Sequence, residues 1–374
     1  MNARLTLLAS AAFALSLPSL GQAADRSIVI LQSITGVGAF VGAPASEGMK
    51  FAAEEINATG FLGADKLKVT VVDDASDRGQ AIAAITRAAQ DPDVLLVLGP
   101  TISPNAIAGA AVANELKIVS YSMTLADAVL KAGPWSFIAA QVPDVTMPAL
   151  ADYVIGKMNV KSCVSINISD NEAYVVLARV FREYAEKRGV KFLESAGVKQ
   201  ADSDFSAIST RVVAAKPECV LFFTTAPVTA NLAIQLKQAG LDPSVKLIGH
   251  TGIASPALIK IGGAAVEGMT FNSDWVPGGA TPAAKAFVEN YKKAKNVDAD
   301  NWSALGYSYM YVMANAIKNA GANPTRETVR DAVTKTKDVP VVIGNGKYSL
   351  DANRWPLYGI SILTVKNGQF VQVE

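Results

Sequence analysis

The chain alternates short β-rich apolar runs with helical patterns, and it does so in two successive rounds. In both rounds the strand-like runs are rich in Val, Ile and Leu, and the helical patterns repeat apolar residues on one face. The predicted first-round strands are 27–32, 68–73, 94–98 and 118–121, and the helices begin at Pro44 or cover 80–89 and 104–115. The predicted second-round strands are 163–168, 190–193, 219–224 and 246–249, and the helices are 174–188, 203–215 and 229–240. Strand–helix alternation at this spacing predicts parallel sheets with helices on both faces.

Two such rounds predict an α/β protein with two similar doubly wound parallel-sheet lobes. The 374 residues suffice for two domains. The helical region 282–335 and the final strand pair must then be shared between the lobes, so the chain crosses several times and forms a hinge. The predicted N-terminal lobe is 24–141 with 275–346, and the predicted C-terminal lobe is 142–274 with 347–374.

The N-terminus has the pattern of an export signal. A positive start at Arg4 precedes the apolar run 5–17, and Gly21 and Ala23 are the small residues that a signal peptidase requires. The alternative is a membrane anchor, but the run has 13 residues, against the roughly 20 that span a bilayer. We therefore predict a signal peptide over 1–23, cleaved after Ala23, and a periplasmic protein.

The composition disfavours several classes of function. Lys+Arg 34 against Asp+Glu 33 gives a formal charge of +1 and no electrostatic reason to expect nucleic acid as a partner. One histidine and two cysteines leave few residues for metal sites or acid–base pairs, and the sequence has no hydrolase elbow, zinc-protease motif or phosphate loop. The stretch 36–42 is one residue away from a dinucleotide fingerprint, because Val41 stands where the third glycine belongs. We expect no enzyme activity, no cofactor and no metal.

The two cysteines each lie near the start of a predicted strand. In an exported protein Cys163 and Cys219 have the option of pairing. Side-by-side strands rarely present disulfide geometry. We therefore expect two buried thiols rather than a disulfide.

A ligand site is expected at the carboxyl ends of the strands, where open parallel sheets bind their ligands. Ser103 directly precedes Pro104 at a helix start, and Ser122 and Thr124 share one short loop. Hydroxyls together with free N–H groups at a helix N-terminus hold a carboxylate without a cation. Helix capping is the other role of such residues, but two adjacent turns of this kind favour a ligand.

The remaining strand-end turns supply the other candidate residues. Phe40 stands on the glycine-rich turn after the first strand, where a packing role is equally open to it. We expect Phe40, Tyr174 and Thr225 to line the rest of the site, and His250 with Thr251 to set its specificity.

Four segments carry a resemblance to a known family. They are the helix ending 52–60 (Ala-Ala-Glu-Glu-Ile-Asn-Ala-Thr-Gly), Leu98-Gly99-Pro100 before Ser103, 119–124 and 264–269. With them the chain resembles the type I periplasmic substrate-binding proteins of ABC importers, in the leucine/isoleucine/valine-binding group. The resemblance implies a hinged, closing protein whose partners are an inner-membrane permease and its ATPase.

The resemblance also implies roles for individual residues. The ligand's carboxylate would be held by the hydroxyls of Ser103 and Thr124 and by the backbone at Ser122. Phe40 and Tyr174 would form aromatic walls on opposite lobes.

One turn departs from the pattern of the amino-acid binders. Where those proteins place an acid to meet the ligand's ammonium, residues 249–252 read Gly-His-Thr-Gly, so that Thr251 replaces the acid. A buried ammonium without an anionic partner costs several kcal/mol. The leading expectation is thus a small carboxylate without a bound α-amine, such as an aromatic or 2-oxo acid.

Two alternatives stay open. A branched-chain or other aliphatic amino acid is the alternative ligand if Glu172, Asp144 or Asp274 meets the ammonium from another direction. A lobe that reports its ligand to a membrane receptor is the alternative to transport.

Overall fold

The computed structural model describes residues 23–373, so the predicted signal peptide lies outside the described residues apart from Ala23. The first sheet has five parallel strands in the order β2-β1-β3-β4-β5. These strands are β1 (Asp25–Gln32), β2 (Lys66–Asp73), β3 (Val94–Leu98), β4 (Val119–Ser122) and β5 (Ser136–Ile138). The helices between them are α1 (Ala39–Thr59), α2 (Arg78–Gln90), α3 (Ser103–Glu115) and α4 (Ala128–Lys131).

The second sheet has seven strands, and only its last two along the chain run antiparallel to their neighbours. The order is β15-β14-β10-β9-β8-β6-β7. Its strands are β6 (Ser162–Ile168), β7 (Lys191–Val198), β8 (Cys219–Phe223), β9 (Lys246–Gly249), β10 (Thr270–Ser273), β14 (Ser361–Lys366) and β15 (Gln369–Gln372). Its helices are α5 (Pro143–Gly156), α6 (Glu172–Glu186), α7 (Ser206–Ala215), α8 (Ala226–Gln238) and α9 (Pro256–Gly262). The predicted fold class, two α/β lobes built on parallel sheets, is confirmed.

Three further helices and a small sheet complete the described chain. The helices are α10 (Pro282–Lys295), α11 (Asn301–Asn319) and α12 (Arg326–Thr334), and the small sheet joins β11 (Val339–Pro340), β12 (Lys347–Leu350) and β13 (Pro356–Leu357). Helix α11 packs along α1, and the apolar residues of both helices share one core with the first sheet. No helix in residues 23–373 combines the length and the apolar character that crossing a membrane requires.

The chain passes between the lobes three times. The passages lie between β5 and α5, between β10 and α10, and between β13 and β14. The residues on the two sides of each passage belong to different cores. The residue in the core of the first lobe and the residue in that of the second are Ala139 and Met147 at the first passage, Trp275 and Phe271 at the second, and Tyr358 and Leu363 at the third. The division of the chain at the predicted lobe boundaries stays a prediction.

Helix α1 begins earlier than the sequence prediction. It starts at Ala39, so Pro44 lies inside the helix rather than at its first position. The glycine-rich stretch forms the first helical turn because it presses against the end of β1: a Cβ on Gly42 would stand 2.3 Å from the carbonyl oxygen of Ser33. Glycine at position 42 therefore serves close packing, and the turn brings Phe40 onto the helix.

The expectation of two free thiols is wrong. Cys163 and Cys219 form a disulfide, with their Cα atoms 4.6 Å apart. The two residues are register partners at the beginning of the neighbouring strands β6 and β8, and this separation is within the range that disulfides span. The bridge is buried in the core between the second sheet and the helices on one of its faces.

Candidate functional site

A cavity lies between the two lobes, at the carboxyl ends of the parallel strands. The first lobe lines it with the start of α1 and the turns after β3 and β4, and the second lobe with the turns after β6, β8 and β9. The cavity volume is about 70 Å³. A cavity of this size fits a small molecule.

The structure brings seven of the eight predicted site residues together in the wall of this cavity. They are Phe40, Ser103, Thr124, Tyr174, Thr225, His250 and Thr251. Ser122 is not among the lining residues. It is buried at the end of β4, and its hydroxyl donates to the carbonyl oxygen of Gly99 (3.2 Å).

The first lobe presents a pair of hydroxyls to the cavity. Ser103 is the first residue of α3, and Thr124 lies just beyond β4. Their Oγ and Oγ1 atoms are 2.7 Å apart, and the backbone N–H of Ala126 donates to Oγ1 of Thr124 (3.0 Å). The hydroxyl pair thus stands at the positive end of a 13-residue helix, an arrangement that favours an anionic group.

A buried hydrogen-bond network fixes the turn that carries Ser103. The hydroxyl of Thr101 donates to the side chain of Gln32 (2.7 Å) and accepts from the backbone N–H of Ser33 (2.9 Å). These hydrogen bonds join the end of β1 to the turn after β3. Since Thr101 also lines the cavity, they fix this part of the cavity wall.

Aromatic side chains form the apolar walls. Phe40 meets Trp302 edge-on, with ring centroids 6.3 Å apart, and both line the cavity. On the second lobe the ring of Tyr174 lies 5.4 Å from that of His250, again edge-on. Sequence reasoning missed Trp302, which is the second residue of a helix that follows no strand end.

His250 contributes shape rather than free hydrogen-bonding groups. The N–H of Gly252 donates to its Nδ1 (3.1 Å), and its Nε2 donates to the carbonyl oxygen of Thr224 (3.2 Å). Burial lowers the pKa of His250 to about 4. The ring is therefore neutral at physiological pH, with both nitrogens engaged inside the second lobe.

Asp274 is the carboxyl group of this cavity. The hydroxyl of Thr251 donates to its Oδ2 (2.5 Å), and the hydroxyl of Tyr358 donates to its Oδ1 (3.0 Å). Its side chain is buried, and burial raises its pKa above the usual range of an aspartate. Among the described residues that line the cavity, none is Lys or Arg.

From the sequence alone, Asp274 is only an alternative partner for a ligand's ammonium. Asp274 follows β10, a strand that the hydrophobic pattern did not predict, and recognising that strand end would have placed it among the candidates. The other two acidic residues that the sequence offered as partners for an ammonium, Glu172 and Asp144, are exposed and do not line the cavity.

The lobes also approach each other at the mouth of the cavity. Nε2 of Gln200, on the second lobe, lies 3.5 Å from the carbonyl oxygen of Val37 on the first. Gln200 lines the cavity as well. This contact across the mouth is typical of a closed arrangement of two lobes.

Within residues 23–373, no group of three or more His, Cys, Asp and Glu side chains is arranged to hold a metal ion.

Comparisons with known proteins place the chain in a family. The family described as periplasmic binding protein matches residues 27–369. The Leu/Ile/Val-binding protein homolog 3 of Brucella melitensis is 28% identical over 349 residues, which are 92% of this chain and 93% of the relative.

Solved structures resemble the fold closely. The leucine-binding protein LivK of Thermotoga maritima has a TM-score of 0.85 at 25% identity, over 93% of this chain and 97% of that one. A solute-binding protein of an ABC transporter from Rhodopseudomonas palustris, in complex with benzoate, has a TM-score of 0.83 at 18% identity, over 93% and 95%. The chain therefore belongs to the periplasmic binding protein family, as a type I solute-binding protein of the branched-chain amino acid ABC transporter kind.

Proposed function

We propose that the cavity binds a small α-amino acid with an apolar side chain. The ligand's carboxylate accepts hydrogen bonds from Ser103 and Thr124 at the start of α3, its ammonium lies toward Asp274, and its side chain packs between Phe40 and Tyr174. The observation that carries the proposal is the buried carboxyl of Asp274 in a cavity wall whose described residues include no Lys or Arg.

The charge balance of the closed cavity favours a zwitterion. A ligand that is only a carboxylate would bring a second negative charge beside an ionised Asp274, with no cation nearby to compensate either. Uncompensated buried charge costs several kcal/mol, so such a ligand binds only with uptake of a proton. A zwitterion compensates Asp274 with its own ammonium.

This proposal revises the leading expectation from the sequence. That expectation took the replacement of an acid by Thr251 to mean that no acid faces the ligand. The hydroxyl of Thr251 instead donates to Asp274, so the acid reaches the same wall from a different strand. The Leu/Ile/Val-binding relative supports an amino acid as well.

Calorimetric titration with two matched ligands tests the proposal. L-Leucine and 4-methyl-2-oxopentanoate share a carboxylate and an isobutyl group, and only leucine carries an ammonium. At pH 7 we expect leucine to bind at least tenfold more tightly. Leucine affinity should fall as the pH drops through the pKa of Asp274, because protonation removes the charge that meets the ammonium. Tighter binding of the oxo acid at pH 7 would refute the proposal.

The variant Asp274→Asn separates the two ligands further. It removes the negative charge and keeps the shape, so leucine should bind more weakly and the oxo acid more tightly. Glu172→Gln is the matched control, because it removes an acid that is exposed outside the cavity, and it should change neither affinity. Equal effects of both substitutions would argue against a direct role of Asp274.

An aromatic or 2-oxo acid is the second candidate ligand. It is favoured by the raised pKa of Asp274, because a protonated Asp274 no longer repels a carboxylate. This candidate predicts the opposite pH response: affinity for benzoate or the oxo acid rises as the pH falls, with about one proton taken up on binding.

The proposed role of the protein is delivery of its ligand to an inner-membrane permease and its ATPase. Membership of an ABC transporter family of solute-binding proteins supports it. The alternative, a sensor lobe for a membrane receptor, predicts that deleting the protein leaves uptake of radiolabelled leucine unchanged. N-terminal sequencing of the exported protein tests the predicted cleavage, which would leave Ala24 as its first residue.

A further inference from the structure

All three chain passages between the lobes meet in one buried hydrogen-bond network. Gln141 is on the first passage, Asp274 on the second, and Tyr358 with Gly359 on the third. Oε1 of Gln141 accepts from the backbone N–H groups of Tyr358 and Gly359 (3.2 Å each), and its Nε2 donates to the carbonyl oxygen of Gly359 (3.1 Å). The hydroxyl of Tyr358 joins this network to Asp274. The side chains of Gln141, Asp274 and Tyr358 are almost completely buried.

Asp274 also lies in the cavity wall, where its burial depends on the position of both lobes. Thr251 contacts it from the second lobe. The cavity that it lines is closed on the other side by residues of the first lobe, among them Phe40 and Ser103. When the lobes separate, water enters this cavity and reaches Asp274. When they close without a ligand, its carboxylate loses water and gains no cation.

We propose that Asp274 is a charge gate on lobe closure: its uncompensated carboxylate keeps the empty protein open at neutral pH, and a cationic group on the ligand, or a proton, allows it to close. Closing over an ionised carboxylate costs desolvation energy that the hydroxyls of Thr251 and Tyr358 only partly offset. Because Asp274 belongs to the network of the three passages, this cost acts where the lobes turn relative to one another.

The other titratable groups that face Asp274 stay neutral in the relevant range. Tyr309 of α11 and the tyrosines Tyr348 and Tyr358 are buried, and burial raises the pKa of each of them. His250, from the turn that carries Thr251, has its pKa lowered to about 4. In the pH range above the pKa of His250 and below those of the tyrosines, Asp274 is therefore the group in this cluster whose charge can change.

Distance measurements on the empty protein test the gate. Spin labels on Val37→Cys and Ala201→Cys report the width of the mouth, since both residues are exposed and flank the contact between the lobes. The sequence has two cysteines and they form a disulfide, so the labels react only at the introduced thiols. We expect long distances for the wild-type background at pH 7 and short ones for Asp274→Asn. Lowering the pH to 5 should shift the wild-type background toward short distances.

The size of the effect follows from linkage. Each unit by which closure raises the pKa of Asp274 lowers the closed-to-open ratio of the ionised protein about tenfold. For a rise of one pKa unit on closure, we therefore expect the closed-to-open ratio of empty Asp274→Asn to exceed that of the wild type about tenfold at pH 7. Glu172→Gln is the control, and it should behave like the wild type.

Two results would overturn the gate. One is the same distance distribution for empty wild type and empty Asp274→Asn at pH 7. The other is a wild-type distance distribution that does not respond to pH at all between neutrality and the onset of acid unfolding, a measurement that stands even if the variant does not fold. The inference takes from the proposed function only the ammonium at Asp274. If leucine fails to bind while the empty protein responds as described, the proposed ligand is wrong and the gate stands.

Discussion

Replacing Thr124 by valine tests the carboxylate end of the cavity most directly. Valine has nearly the shape of threonine and lacks the hydroxyl. In the structure that hydroxyl is paired with Ser103 Oγ (2.7 Å) and accepts from the N–H of Ala126 (3.0 Å). When Ser103 donates to Oγ1 of Thr124, which also accepts from Ala126, the proton of Thr124 is available to a ligand. The substitution therefore removes one hydrogen bond to the bound carboxylate.

The expected loss can be worked from this geometry. A hydrogen bond to a charged group contributes about 1–3 kcal/mol, which corresponds to a roughly 5- to 150-fold weaker Kd. The stability of the fold should fall as well, because the substitution leaves the N–H of Ala126 and the hydroxyl of Ser103 without this partner.

Calorimetry with L-leucine and thermal unfolding of the empty protein separate binding from stability. Thr146→Val is the matched control: Thr146 is buried on α5, and it does not line the cavity. We expect weaker binding for Thr124→Val and unchanged binding for the control. An unchanged affinity in Thr124→Val, with the protein folded, would remove Thr124 from the site and refute the assignment of the α3 end to the carboxylate.

Two further predictions concern stability. The disulfide joins residues 56 positions apart. Replacing Cys163 and Cys219 by alanine should therefore lower the free energy of unfolding by about 4 kcal/mol, because the unfolded chain gains entropy. Urea unfolding measures this change, and an unchanged unfolding midpoint would contradict the prediction. The pKa of His250 is lowered to about 4, below its unfolded value, so the stability that its neutral form contributes above pH 6.5 is lost as the pH falls toward 4. Between pH 7 and 4 this amounts to about 3 kcal/mol, and His250→Gln should remove that part of the pH dependence, whereas an identical slope in the variant would rule it out.

The sequence predicted the fold well because the strand and helix periods are regular in both rounds. Strands 94–98 and 246–249 lie where the apolar pattern placed them. The start of α1 was misplaced because glycines were interpreted as a loop, whereas Gly42 permits close packing that only the tertiary structure reveals. The disulfide was missed for a related reason: the pattern locates each strand, and register decides whether two cysteines face each other.

The candidate site was predictable to the extent that strands end at it. Ser103, Thr124 and Thr225 follow predicted strands, and all three lie in the cavity wall. Asp274 follows a four-residue strand too short for a clear period, and Trp302 arrives on a helix from a distant part of the chain. The passages of the chain between the lobes bring such residues to the site, and the local sequence pattern does not predict where the chain passes between lobes.

The described wall of the cavity holds no Lys or Arg, and this has a consequence for the salt concentrations at which the protein works. Ion pairs on an open surface weaken as ionic strength rises, whereas hydroxyls and a helix terminus in a closed, water-poor space are little affected by dissolved salt. Capture of a ligand's carboxylate through these neutral donors would hold its strength in dilute and in saline water alike.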